Sequence, residues 1–267
     1  MKNILILPVL LLTLSGCTTY NAFIEHSSKY LVSESDEIQL GRQVQSETRT
    51  SMSQQGVLRN ANPAQVKKLQ TMVNRIAAVS DNPTLPYEVD IYSTDVVNAM
   101  AAPGGKIIVF EGLWDPQKGL AKTDDEIAAV IAHEIAHVTC RHSAEAMTSN
   151  MLLGGSLAVA SAVAKSKNND TAALALGGAF IAYEGLLVTH YSRRDEYEAD
   201  RVGMMYMAKA GYNPQAAINI WKRAAAGGGN SGSPLDMLST HPNDANRMQA
   251  LQEQLPAAMA EYQRSKK

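Results

Sequence analysis

Cysteine is scarce, with only Cys17 and Cys140 in 267 residues, too few for a disulfide framework. Aromatic residues make up 6% of the chain, and beside plentiful Ala, Gly and Met that shortage favours helices over a β-sandwich. An excess of one charge is missing too. The 24 Lys and Arg face 26 Asp and Glu, for a net charge of −2, so there is no broad basic field and no nucleic-acid partner is expected. No uninterrupted apolar run reaches the ~20 residues a spanning helix needs. What is present is 45% hydrophobic against 19% charged residues, enough for a real core and the composition of one large domain rather than a disordered chain.

The chain opens like an address. Lys2 precedes an apolar stretch from Ile4 to Leu14, of the length of a secretory signal core. Leu14-Ser15-Gly16-Cys17 resembles the bacterial lipoprotein processing box, which implies residues 1–16 as signal peptide and Cys17 as an acylated N-terminus. Thr18 follows rather than the Asp that resembles an inner-membrane retention signal, so the expected location is the outer membrane, lipid-anchored and facing the periplasm. Residues 17–32 then read as a lipidated tether, and acyl chains anchor without any spanning helix.

Residues 33–267 read as one α+β domain, mainly helical. Ser33 caps a helix start. A second helix is expected over 63–79, with Val66, Leu69, Val73, Ile76 and Ala77 as its apolar stripe. Residues 87–92 alternate as a strand does, another short strand includes Asn98 to Ala101, and Pro103-Gly104-Gly105 turns the chain into a β-branched strand at 106–110. Thr123 opens a further helix, and others are expected at 193–210, 214–226 and 241–264. The apolar segments 151–164 and 171–189, separated by a polar stretch, read as a packed helical hairpin, since one is short and the other holds Glu184. The glycine-rich stretch 227–234 reads as a lid or a connector.

Chemistry concentrates in His133-Glu134-Ile135-Ala136-His137. Four residues apart on a helix, His133 and His137 project from one face, where two imidazoles can hold a zinc ion with Glu134 beside them to handle a proton. The apolar flanks would bury this helix almost all round, and buried imidazoles and a carboxylate need partners. A third ligand must come from elsewhere. The run Asp195-Glu196-Tyr197-Glu198-Ala199-Asp200 is dense in carboxylates. Glu196 and Asp200 share a face, so that one can ligate while the other orients an imidazole; spacing alone leaves Asp195 and Glu198 open. His142 reads as helix surface, His190 as a helix end, His26 as tether, and Cys140 as core.

His-Glu-x-x-His followed some 60 residues later by Glu-x-x-x-Asp resembles the gluzincin metallopeptidases of the HtpX, BepA and LoiP type. Asn98-Ala99-Met100-Ala101, Pro103-Gly104-Gly105, the helix start near Glu37 and Gly41, and Thr240-His241-Pro242 with Arg247 match as well. The spanning helices of HtpX have no counterpart, no repeat domain follows the last helix, and the lipoprotein signal points to the outer-membrane lipoprotein branch. The resemblance implies a zincin fold with a small sheet beside the His-Glu-x-x-His helix. It also implies one zinc per chain on His133, His137 and Glu196, Glu134 as general base to water activated by the zinc, and Asp200 as orienter. It brings the Thr-His-Pro loop to the metal, with His241 as oxyanion donor or as an inhibitory fourth ligand and Arg247 in support. The strand at 106–110, through Ile107 and Val109, offers an edge for an extended peptide, with Asn98 as clamp. The expected function is an endopeptidase of unfolded or misassembled envelope proteins in protein quality control, associated with other envelope quality-control proteins. A non-catalytic, chaperone-like lipoprotein that binds unfolded outer-membrane proteins is the alternative. A zinc amidase of cell-wall peptides would share the metal site.

Overall fold

The computed structural model describes residues 17–19, 28–150, 191–227, 237–241 and 245–267. The proposed signal peptide, the apolar segments 151–164 and 171–189, His26, His190 and the glycine-rich stretch beyond Gly227 lie outside the described residues. Among the described residues, no helix is long and apolar enough to cross a membrane.

A short hairpin, β1 (Cys17–Thr19) and β2 (Ser28–Tyr30), comes first. The far end of the expected tether is docked rather than free. Tyr30 and Val32 are buried, Tyr30 Oη donates to the Cys140 carbonyl at 3.2 Å, and the Leu31 amide donates to Thr148 Oγ1. Helix α1 (Glu34–Gln54) starts where Ser33 and Asp36 form a reciprocal capping box. It lies directly on the Pro103–Gly105 turn. A Cβ on Gly41 would stand 1.9 Å from the Pro103 carbonyl oxygen, and Gly104, at φ +66°, has Ile38 Cα 2.5 Å from where its Cβ would be, so both positions require glycine. Helix α2 (Pro63–Ala77) has Asn62 as cap and Pro63 at its first turn.

The sheet has three strands, β3 (Glu88–Tyr92), β4 (Ala99–Ala102) and β5 (Lys106–Phe110). Their order is β3-β5-β4, with β3 parallel and β4 antiparallel to β5. β5 is therefore central, and Ile107 and Val109 are fully buried. The expectation that a peptide adds to the edge of 106–110 fails because both edges of that strand are already paired. The outer edge of β3 is closed by side chains that stand in for a strand: the Val89 amide donates to Gln70 Oε1 and the Ile91 amide to Asn60 Oδ1. Asp90, buried on this strand, accepts from Arg49 and from Arg59, each at 2.7 Å.

Helix α3 (Asp124–Thr139) is buried along nearly its whole length, every residue from Glu126 to Thr139 lying inside. It packs against α2, β4, α5 (Arg193–Lys209) and α6 (Gln215–Ala225). This burial explains its composition of Ile, Val and Ala, since a helix covered on every side has no polar face. Gly203 on α5 makes the contact close: a Cβ there would be 2.9 Å from the Ala132 carbonyl oxygen and the His133 amide nitrogen. After α3 the chain breaks at Arg141, at φ +59°, and restarts as α4 (His142–Asn150). The short α7 (Met237–Thr240) and the long α8 (Ala245–Ser265) complete the domain, α8 lying along α5 and α6.

Candidate metal centre

α3 and α5 face each other across the Gly203 contact, and α7 delivers His241 to their junction. Met237, at its start, donates its amide to the Val97 carbonyl, and the His241 amide donates to the Met237 carbonyl. One donor atom from each of His133, His137, Glu196 and His241 lies within 4.8 Å of the others, and all four side chains are buried. His133 Nε2 and His137 Nε2 are 3.0 Å apart. His241 Nδ1 is 3.3 Å from His133 Nε2 and 3.0 Å from Glu196 Oε1. Glu134 is fully buried beside this group, with Oε1 3.4 Å from His241 Nε2.

The surrounding residues fix the rings. Asp200 Oδ1 lies 3.0 Å from His133 Nδ1. Arg247 bridges the carboxylates: Nε and Nη2 reach Asp200 at 2.7 and 2.9 Å, Nη1 reaches Glu196 Oε2 at 2.8 Å, and its guanidinium stacks 4.1 Å over the Trp221 ring. The fully buried Arg247 is thus a counter-ion inside the site. Tyr191 stacks on His137 with ring centroids 4.0 Å apart.

The four converging donors fit a metal. His133 and His137 have their Nδ1 atoms engaged elsewhere, so both Nε2 lone pairs point at the same small space, an arrangement a cation stabilises. Among the described residues, the buried carboxylates of Glu134, Glu196 and Asp200 have the guanidinium of Arg247 set against them here, and a divalent ion offsets the remaining negative charge. Three imidazoles and a carboxylate are a zinc-type donor set. Burial penalises a charge on His133, yet Asp200 and Glu196 outweigh it and raise the pKa of the ring, the same pull toward positive charge that a cation at Nε2 would satisfy. Burial pushes His137 well below its ordinary value and raises the Glu134 carboxyl above the usual carboxylate range, with His241 and His133 opposing. For Glu196 burial works against ionisation, but His241 and the other imidazoles overcome it and keep the carboxylate ionised.

The model of peptidase family M48 matches residues 63–255. The mitochondrial metalloendopeptidase OMA1 of Schizosaccharomyces pombe is 37% identical over 197 residues, 73% of this chain and 54% of that protein. The chain belongs to peptidase family M48. The beta-barrel assembly-enhancing protease of Yersinia pestis is 29% identical over 190 residues, 70% of this chain and 38% of that one. The Saccharomyces cerevisiae OMA1 is 30% identical and the chain covers 62% of it. The chain therefore spans between about a third and two thirds of the length of these relatives. The M48 family is a zinc metallopeptidase family, in keeping with the donor set.

Within this M48 domain the carboxylates left open by spacing divide their tasks. Asp195 closes a capping box with Ser192 at the start of α5. Glu196 faces the imidazoles, Asp200 reaches His133, and Glu198 reaches His142. Asn98 is fully buried and its amide donates to Thr240 Oγ1 at 3.2 Å, so in this structure it ties β4 to the residue before His241 rather than facing an open cleft. His142 is a second correction: expected on the helix surface, it is fully buried with Nδ1 2.8 Å from His137 Nδ1. The turn at Arg141 redirects it, and continuing the α3 period through that turn hid the contact.

Proposed function

We propose that this chain is a zinc endopeptidase that cleaves unfolded or misassembled envelope proteins, as a lipoprotein of the LoiP kind anchored through Cys17 to the outer membrane and facing the periplasm. In this reading His133, His137 and Glu196 hold the zinc, Asp200 fixes the His133 ring, and Arg247 pairs with Glu196 and keeps Asp200 ionised. Zinc in this position supplies Lewis acidity, which acidifies water to a pKa of about 7 and polarises a carbonyl. Glu134 takes the proton of the attacking water and passes it to the leaving amine nitrogen. His241, a fourth donor touching Glu134, holds the site closed in this arrangement; on moving aside it can donate to the oxyanion.

The peptide adds to β4. Phe110 donates to the Asn98 carbonyl, so the antiparallel alternation turns the backbone groups of Ala99 and Ala101 away from β5. The backbone of Ala101 faces the Glu134 carboxylate, which supports a substrate strand laid along this edge next to the base.

The observation that carries the reading is Glu134, a fully buried carboxylate beside a four-donor cluster to which it does not belong. A metal that merely staples a binding protein needs no such base. Incubating the zinc-loaded protein with an unfolded outer-membrane protein and mapping the products tests it. Internal polypeptide cuts support the endopeptidase, binding without cuts supports the chaperone-like alternative, and cleavage confined to cell-wall peptides supports the amidase.

A further inference from the structure

His142 and Glu198 have no part in the mechanism above, yet both are buried against it. His142 Nδ1 is 2.8 Å from His137 Nδ1, and His142 Nε2 is 3.3 Å from Glu198 Oε2. We infer that Glu198 and His142 form a hydrogen-bonded chain that sets the tautomer and orientation of His137, so that its Nε2 lone pair points into the metal centre. The direction of the chain follows from donor and acceptor capacity. An ionised carboxylate only accepts, so the His142 proton lies on Nε2 and is donated to Glu198. With the ring proton on Nε2, Nδ1 is the acceptor and takes the Nδ1–H of His137. With that proton placed, His137 Nε2 is left as a lone pair. His133 Nδ1 has the carboxylate of Asp200 directly beside it, 3.0 Å away; His137 has one intervening imidazole between it and its carboxylate.

The backbone is built for this contact. The α3 helix ends with Cys140 as its C-cap, and Arg141 takes a left-handed conformation at φ +59°, unusual for a long side chain. Arg141 is held there by Glu37 at 2.7 Å, by the Val32 carbonyl at 2.7 Å and by the Tyr30 ring, 4.2 Å below its guanidinium. The turn resets the helical phase so that His142 folds back on His137 instead of pointing away from it. Glu198, two residues past Glu196 on α5, approaches from the far side of the ring.

His142 and Glu198 are positioning residues, and the inference rests on His137 being a zinc ligand. Cys140, His142 and Glu198 also have donor atoms within 4.8 Å of one another, so a second metal ion is the competing occupant. The zinc-loaded protein is compared with His142→Ala, His142→Asn, Glu198→Gln and Cys140→Ala, measuring metal per chain, zinc affinity by chelator competition, and the imidazole NMR signals of ¹⁵N-histidine-labelled protein. Wild type is expected to hold one zinc and to show a slowly exchanging Nδ1–H on His137. His142→Ala should lose that signal and bind zinc about 10–100-fold more weakly. His142→Asn, whose amide oxygen can stand in for Nδ1, should recover a large part of the affinity, and Glu198→Gln should fall between. Cys140→Ala should leave the affinity unchanged and shows what loss of packing alone does. Wild-type affinity in both His142 variants, or a His137 proton on Nε2, would overturn the inference while leaving the zinc site intact. Two zinc ions per chain, falling to one in Cys140→Ala, would replace the chain with a second metal site. Absence of zinc from wild type would instead overturn the assignment of His137 as ligand.

Discussion

Arg247 and His241 decide most at the scale of single residues. Arg247 is 1% exposed and neutralises two carboxylates. Arg247→Met keeps much of the packing on Trp221 but leaves Asp200 buried without its guanidinium partner and Glu196 with the metal alone, which costs about 3–5 kcal/mol; chemical denaturation of the zinc-loaded protein checks this. His241→Ala removes both the fourth donor and the oxyanion contact, and is expected to weaken zinc binding and to lower hydrolysis of an unfolded protein per bound zinc. A fall in hydrolysis with unchanged zinc affinity would assign His241 to the oxyanion alone. The pair His133 and His137 with Glu134 was legible in sequence because helical spacing alone puts the two imidazoles together. His142 was not, since its direction depends on the positive φ of Arg141, which the tertiary contacts of Glu37, Val32 and Tyr30 sustain. Spacing could not separate the four acidic residues of α5 either, because their tasks are set by what faces the helix.

Elements carry the next level of control. The sequence marked the helices to within a few residues where caps were present, at Ser33, Asn62, Thr123 and Ser192. It misplaced the free edge of the sheet, although the apolar run Ile107–Phe110 is what a central strand covered on both faces looks like. The approach of α5 to α3 needs Gly203. Gly203→Ala would force the helices apart by several tenths of an ångström at His133, and zinc affinity is expected to fall about tenfold, a value that follows from disturbing ligand support; chelator competition measures it. On β3, burial opposes ionisation of Asp90, but Arg49 and Arg59 outweigh it and hold its pKa below the ordinary value. A depressed carboxylate contributes stability above its unfolded pKa of about 4 and loses it as pH falls through the folded value. Asp90→Asn should therefore cost about 1–3 kcal/mol at neutral pH and flatten the decline below pH ~4, read from denaturation midpoints across that range.

For the molecule as a whole, the metal centre is the knot that joins α3, α5 and the end of α7, three segments separated by long stretches of chain. Zinc bound only by the folded state stabilises it by about 2.7 kcal/mol at a hundredfold excess over the dissociation constant. For a domain of this size, with ~2–4 °C per kcal/mol, chelation is expected to lower the melting midpoint by about 5–10 °C, as thermal scans with and without chelator would show. The proposed lipid anchor, outer-membrane location and envelope substrates rest on the first residues and on the family resemblance; the chemistry rests on residues deep in the fold. The most direct test of that chemistry pairs wild type with Glu134→Gln, both starting after Cys17, measuring zinc per chain and hydrolysis of an unfolded protein. One zinc in each, with cleavage lost only in the variant, is the predicted result. Equal cleavage by both, or no zinc in either when zinc is supplied, would contradict it.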